Sequence, residues 1–221
     1  MRYQKFKSIW IYSMLLIPTI SAIMALYSHD FYYKSGVAGS GILIILVLYY
    51  NQLRQSKDVW MIFGAFLFSI AGDWFLSNKH GDTGMFVAGI ALFFFAHAGY
   101  LSFALLNGRI NRTFTIVLLV GYLSFYFLKL YPTIDNKVLL FASLIYLLIS
   151  CFSLGAAAGI KAEPVVKWTF VFGITMVLFS DTIIAFREFA AYKHLDFLIL
   201  PTYYLAQISV TFSLMRKYLS L

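Results

Sequence analysis

Apolar residues run along this chain in eight long stretches separated by short polar connections. A helix that crosses the hydrocarbon core needs about 20 mostly apolar residues. The stretches at 9–27, 37–53, 59–77, 84–106, 113–129, 137–156, 165–186 and 197–215 meet that length or come close to it. The pattern predicts an all-α, polytopic membrane protein with eight transmembrane helices in one bundle. The connections are short, so neighbouring helices run antiparallel. No segment is long and polar enough for a soluble domain, so residues 1–221 read as a single unit. A 4+4 internal repeat, 1–112 and 113–221, is suggested by an aspartate late in the third stretch and another late in the seventh. Each is followed by a loop and then by polar residues on the next stretch.

Composition agrees. Hydrophobic residues make up 62% of the chain, mean hydropathy is +0.82, and charged residues are only 12%, about half the share of a soluble domain. The single cysteine, Cys151, excludes an internal disulfide. The apolar run from Ile9 is too long for a signal h-region and lacks a small-residue cleavage site, so it reads as the first span. The net charge of +8 is scattered over short loops, with no basic block or zinc spacing, which speaks against nucleic acid as a partner. It reads instead as topology. Arg2, Lys5, Lys7, Arg54, Lys57, Arg109, Arg112, Lys161, Lys167, Arg216 and Lys217 fall on one side, and Lys34, Lys79, Lys129, Lys137, Arg187 and Lys193 on the other. That bias puts both termini in the cytoplasm, and the expected location is a bacterial plasma (inner) membrane.

Two acids interrupt the apolar pattern: Asp73 in FLFSIAGDWFL and Asp181 in VLFSDTIIAF. Buried charge in hydrocarbon costs several kcal/mol, about 3 on the more lenient scales, so an intramembrane acid marks a functional site by default. Both acids lie toward the same end of their spans and can meet across a bundle. On the fourth stretch Gly89, Phe93, His97 and Tyr100 recur at helical spacing and share one face. On the eighth, Tyr203, Tyr204, Gln207 and Thr211 form a polar stripe. Polar groups at this depth need partners inside the protein. Each has a plainer reading: an intramembrane Gln as a helix–helix tie, a Tyr as an interfacial anchor, a His as a hydrogen-bonded packing residue. Two Asp and one His can hold a cation, but no short metal motif is present and none is expected here. Gly36, Gly39 and Gly41 open an apolar helix with no strand before them, which suits close packing and not a phosphate loop.

These residues also carry a resemblance. Gly72-Asp73 with Leu76, then Phe86, Gly89, Phe95, His97 and Tyr100, resemble the first signature of the YhhN family. Leu178-Phe179-Ser180-Asp181 through Ala185 and Phe186 resemble the second, and Tyr203-Tyr204-Leu205-Ala206-Gln207 the third. The resemblance covers nearly the whole chain and implies lysoplasmalogenase activity. That reaction hydrolyses the vinyl ether bond of lysoplasmalogens to a fatty aldehyde and glycerophosphoethanolamine or glycerophosphocholine. The partners implied are a lysophospholipid substrate and membrane lipid. Asp73 and Asp181 would be the catalytic pair, with His97, Tyr100, Tyr203, Tyr204, Gln207 and Ser180 orienting them, and no organic cofactor is needed. Many relatives carry Lys-Pro at the start of the second span. This chain has Lys34-Ser35, which argues against a headgroup role for Lys34. The chemistry suits paired acids: one protonates the β-carbon, and the other stabilises the oxocarbenium ion and activates water, as between the carboxyls of a glycosidase. The alternative is a proton-coupled transporter, since intramembrane acids and His also make proton relays. No span is visibly broken by Gly or Pro at mid-membrane, which weighs against it.

Overall fold

The computed structural model of the protein describes residues 9–28 and 30–220. Arg2, Lys5 and Lys7 of the charge count lie outside the described residues. Among the described residues, eight helices are long and apolar enough to cross a membrane: α1 (Ile9–Ser28), α2 (Phe31–Tyr49), α3 (Lys57–Ser77), α4 (Thr83–Leu106), α5 (Arg112–Phe125, extended by irregular turns to Thr133), α6 (Lys137–Ala157), α7 (Pro164–Phe189) and α8 (Ile199–Leu219). There is no strand among the described residues, and one isolated bridge joins Gly108 to Ile160.

Local sequence explains the ends. Asp82, Asn111 and Asn136 stand at the N-caps of α4, α5 and α6, and each side chain accepts hydrogen bonds from the first-turn amides. Pro164 opens α7, where its missing N–H costs nothing. Pro18 cannot donate to Met14, and α1 is locally tightened just before it, with the amides of Met14 and Leu15 reaching back three residues. Several boundaries differ from the hydropathy reading: α2 ends at Tyr49, short of 53, and α7 and α8 run on to Phe189 and Leu219, past 186 and 215. α2 begins at Phe31, six residues before the expected start, because Phe31, Tyr32 and Tyr33 extend the helix ahead of Lys34. α5 runs on past 129 as a π turn over Tyr126–Leu130 and a 3-10 turn over Tyr131–Thr133, ending where Pro132 excludes a regular helix.

The helices pack as successive hairpins closed by long-range pairs: α3 on α4, α7 on α8, α4 on α6, and α2 on both α3 and α8. A main core of Ala38, Ile45, Ile62, Phe66, Ala96, Phe103, Leu154, Phe170, Ile174, Ala206 and Val210 joins six of them. α8 is the most deeply embedded span and α5 the least. Large apolar side chains such as Leu43, Val47, Leu67, Val117 and Phe141 face outward, as a lipid solvent allows.

The two loop faces are held differently. On one, Lys217 near the end of α8 bonds to Asp58, while Asn107 donates to Asp58 at 3.0 Å and accepts from Lys217 at 2.6 Å. Arg216 pairs with Glu163 at 2.6 Å on the same face. There the loops around Gly108 and Gly159 cross backbone to backbone, so a β-carbon on Gly159 would overlap the carbonyl of Arg109. Among the described residues the opposite face is tied chiefly through Glu188, which pairs with Lys79 and Arg187, and it contains the larger cavity.

Candidate functional site: two aspartates on one cavity

α3 and α7 deliver Asp73 and Asp181 within about one and two turns of the loosely tied face. The α3–α4 contact is close because its residues are small. A β-carbon on Gly99 would lie 2.6 Å from the carbonyl oxygen of Met61, and one on Gly89 would lie 2.6 Å from Leu76. This approach sets His97 of α4 beside α7.

Asp181 Oδ2 accepts a hydrogen bond from the Tyr146 hydroxyl at 2.7 Å and lies 3.1 Å from His97 Nε2. The His97 ring is fully buried, edge-on to Tyr146 and Tyr100 with centroids 5.3 and 6.0 Å away. Its Nδ1 has no partner among the described residues. Asp73 Oδ2 accepts from the Tyr203 hydroxyl of α8 at 3.0 Å. Tyr100 lies near both centres, and Ser69 neighbours its phenol and that of Tyr203. A cavity of about 410 Å³ is lined by both Asp73 and Asp181, with Lys34, Ser180, Arg187, Asp196 and Tyr203 among its other walls. A narrower, almost wholly apolar pocket of about 90 Å³ lies between α4, α5, α6 and α7. Leu76, Phe93, Asp181 and Ile184 line both spaces, so the polar cavity and the apolar pocket meet at Asp181.

A family model matches residues 34–214, which take in both acids and the whole cavity wall. The chain belongs to the YhhN family. No curated protein and no solved structure matches it.

Not every polar residue singled out in this YhhN-family sequence reaches the cavity. Asp73, Asp181, Ser180 and Tyr203 line it, and His97 touches it through Asp181. Ser180 spends its hydroxyl on the Ile199 carbonyl at 3.0 Å, fastening α7 to the start of α8. Tyr204 and Gln207 are buried off the cavity wall, and neither the Tyr204 hydroxyl nor either amide atom of Gln207 has a partner among the described residues. Lys34, set aside because its neighbour is Ser35 in place of proline, stands on the cavity wall. Tyr146 was overlooked, although Ser143, Tyr146, Ser150 and Ser153 recur at helical spacing through α6. Arg187 was read only as a charge that sets topology, and Asp196 was not singled out at all. Among the described residues no three His, Cys, Asp or Glu side chains cluster as a metal site requires.

Proposed function

We propose that this protein is a lysoplasmalogenase: it hydrolyses the vinyl ether of a lysoplasmalogen to a fatty aldehyde and a glycerophosphodiester. The observation that carries the reading is the pair of aspartates, 108 positions apart in sequence, on one cavity that continues into an apolar slot. The alkenyl chain occupies the slot between α4, α5, α6 and α7, and the polar end of the lipid occupies the larger cavity. The reacting double bond then lies where the two spaces meet, beside Asp181.

The two acids differ in their donors, which separates their roles. Asp181 Oδ2 has both Tyr146 and His97 within hydrogen-bond distance, whereas among the described residues Asp73 Oδ2 has Tyr203 alone. Two converging donors suit a carboxylate that holds its negative charge, with Nε2 of His97 carrying a hydrogen. Asp73 is then the acid. It gives its proton to the β-carbon, the double bond shifts, and an oxocarbenium ion forms opposite the Asp181 carboxylate. Asp181 takes a proton from water as that water adds, giving the hemiacetal. In the collapse, Asp73 accepts the hemiacetal hydroxyl proton while Asp181 protonates the departing glycerol oxygen. The aldehyde and alcohol leave, and both carboxyls are back in their starting states.

The experiment is aldehyde release from lysoplasmenylethanolamine by the detergent-purified protein. Asp73→Asn and Asp181→Asn are each expected to lower kcat by about 10²–10⁴-fold, the usual weight of a positioned acid or base, with the elution profile of the folded protein unchanged. Turnover near wild type in either variant removes that aspartate from the reaction.

A further inference from the structure

The larger cavity carries more charge than two catalytic acids require. Lys34 and Arg187 both line it, on α2 and at the end of α7. The Lys34 ammonium has no hydrogen bond or ion pair among the described residues, and it shares the cavity wall with Asp73. Arg187 is held by Glu188, at 2.9 Å from Nε and 2.8 Å from Nη2. Glu188 is shared with Lys79, so one carboxylate serves two cations. A guanidinium has five N–H donors, and Arg187 keeps some of them for another acceptor.

A third acid completes the wall. Asp196 opens the short turn before α8 and lines the same cavity. Its Oδ1 is buried with no hydrogen-bond partner among the described residues. A buried carboxylate oxygen without a donor is costly, and Lys34 and Arg187 do not bond to it. Two cations able to accept an anion, beside an acceptor oxygen lacking a donor, make a surface of both signs.

We propose that this cavity binds a zwitterionic phosphoester headgroup ending in a primary amine, with Lys34 and Arg187 holding the phosphate and Asp196 holding the ammonium. The proposal rests on the lysophospholipid reading above and adds the headgroup class. A primary ammonium donates directly to Oδ1. A trimethylammonium has no N–H, satisfies the charge alone, and is the poorer ligand. A headgroup that ends at the phosphate leaves Asp196 unpaired.

The test measures binding, not turnover. The full chain in detergent is titrated with sn-glycero-3-phosphoethanolamine, sn-glycero-3-phosphocholine and sn-glycerol 3-phosphate, followed by calorimetry. The wild type is expected to hold the ethanolamine diester at least about tenfold tighter than the other two, the weight of one hydrogen bond to a charged group. Asp196→Asn is expected to erase that preference while leaving the affinity for glycerol 3-phosphate unchanged. Lys34→Gln weakens all three ligands. Equal affinity of the wild type for the ethanolamine and choline diesters would overturn the proposal, as would an Asp196→Asn variant that keeps the preference or loses all three ligands alike. Should Asp196→Asn fail to fold, Lys34→Gln decides: a loss of less than about threefold for the ethanolamine diester overturns the phosphate assignment. Selective binding without aldehyde release would sink the reaction and keep the headgroup site. Aldehyde release without selectivity would sink the headgroup site alone.

Discussion

The donors around the acids set the strongest expectations for single residues. Tyr146→Phe removes the 2.7 Å bond to Asp181 and nothing else of similar shape. A hydrogen bond to a charged group contributes about 1.5–3 kcal/mol. If Asp181 carries charge through the rate-limiting step, kcat falls about 10- to 100-fold and KM is little changed. Tyr203→Phe strips from Asp73 the one donor it has among the described residues; Asp73 is the acid that must give up its proton in the proposed reaction, and so the effect on kcat is expected to be smaller. Steady-state aldehyde release by the two variants checks the order, and a larger loss for Tyr203→Phe would exchange the roles of the aspartates. The two acids were legible in the sequence because charge in hydrocarbon is so costly that little but function keeps it there. Tyr146 was not, because a tyrosine in an apolar helix has an ordinary use as an anchor or filler. Only its bond to a residue 35 positions away distinguishes it. The place of Lys34 on the cavity wall was not legible for a similar reason: it depends on how far α2 extends toward Phe31 and not on the residue that follows the lysine.

Among the elements, the α3–α4 hairpin and the slot beside α5 each make a demand that can be measured. Gly99 lets α4 touch the backbone of α3 at Met61, and a side chain there must push the helices apart. Gly99→Val is expected to lower the thermal midpoint in detergent. Overpacking of this kind costs about 1–3 kcal/mol, and because the displacement passes along α4 to His97, activity should fall with it. A Gly99→Val variant as stable as wild type would mean that α4 is not held by this contact. The slot makes a different claim. Ala185 and Ser150 line it, and Ala185→Leu fills space without touching the polar cavity. The expected outcome is a shift in chain preference, with kcat/KM for long alkenyl chains falling about tenfold and short chains spared, as measured over a chain-length series. The eight elements themselves were readable because each carries enough apolar residues to cross a bilayer on its own. Their ends were less readable: hydropathy averages across a terminus, so the amphipathic start of α2 and the π turn after Phe125 do not register.

For the whole molecule, the asymmetry between the two loop faces becomes a statement about sidedness. The tightly tied face carries Arg54, Lys57, Arg109, Arg112, Lys161, Arg216 and Lys217, while the cavities open among Lys34, Lys79, Asp135, Arg187 and Asp196 on the other. The excess of basic residues on the first face predicts that it is cytoplasmic and that the larger cavity faces away from the cytoplasm. Cys151 is fully buried, so a cysteine introduced in a loop is read against little background. Asp135→Cys is expected to react with a membrane-impermeant maleimide added outside sealed right-side-out vesicles, and Ser56→Cys only after the membrane is opened. The same geometry requires that glycerophosphodiester released from substrate in the outer leaflet appear outside sealed right-side-out vesicles. Inverted labelling would turn the cavity toward the cytoplasm and the released headgroup with it. Labelling as expected, with product trapped inside, would mean that the polar cavity is not the exit for the headgroup. The lipid would then have to lie the other way along the α4–α7 slot.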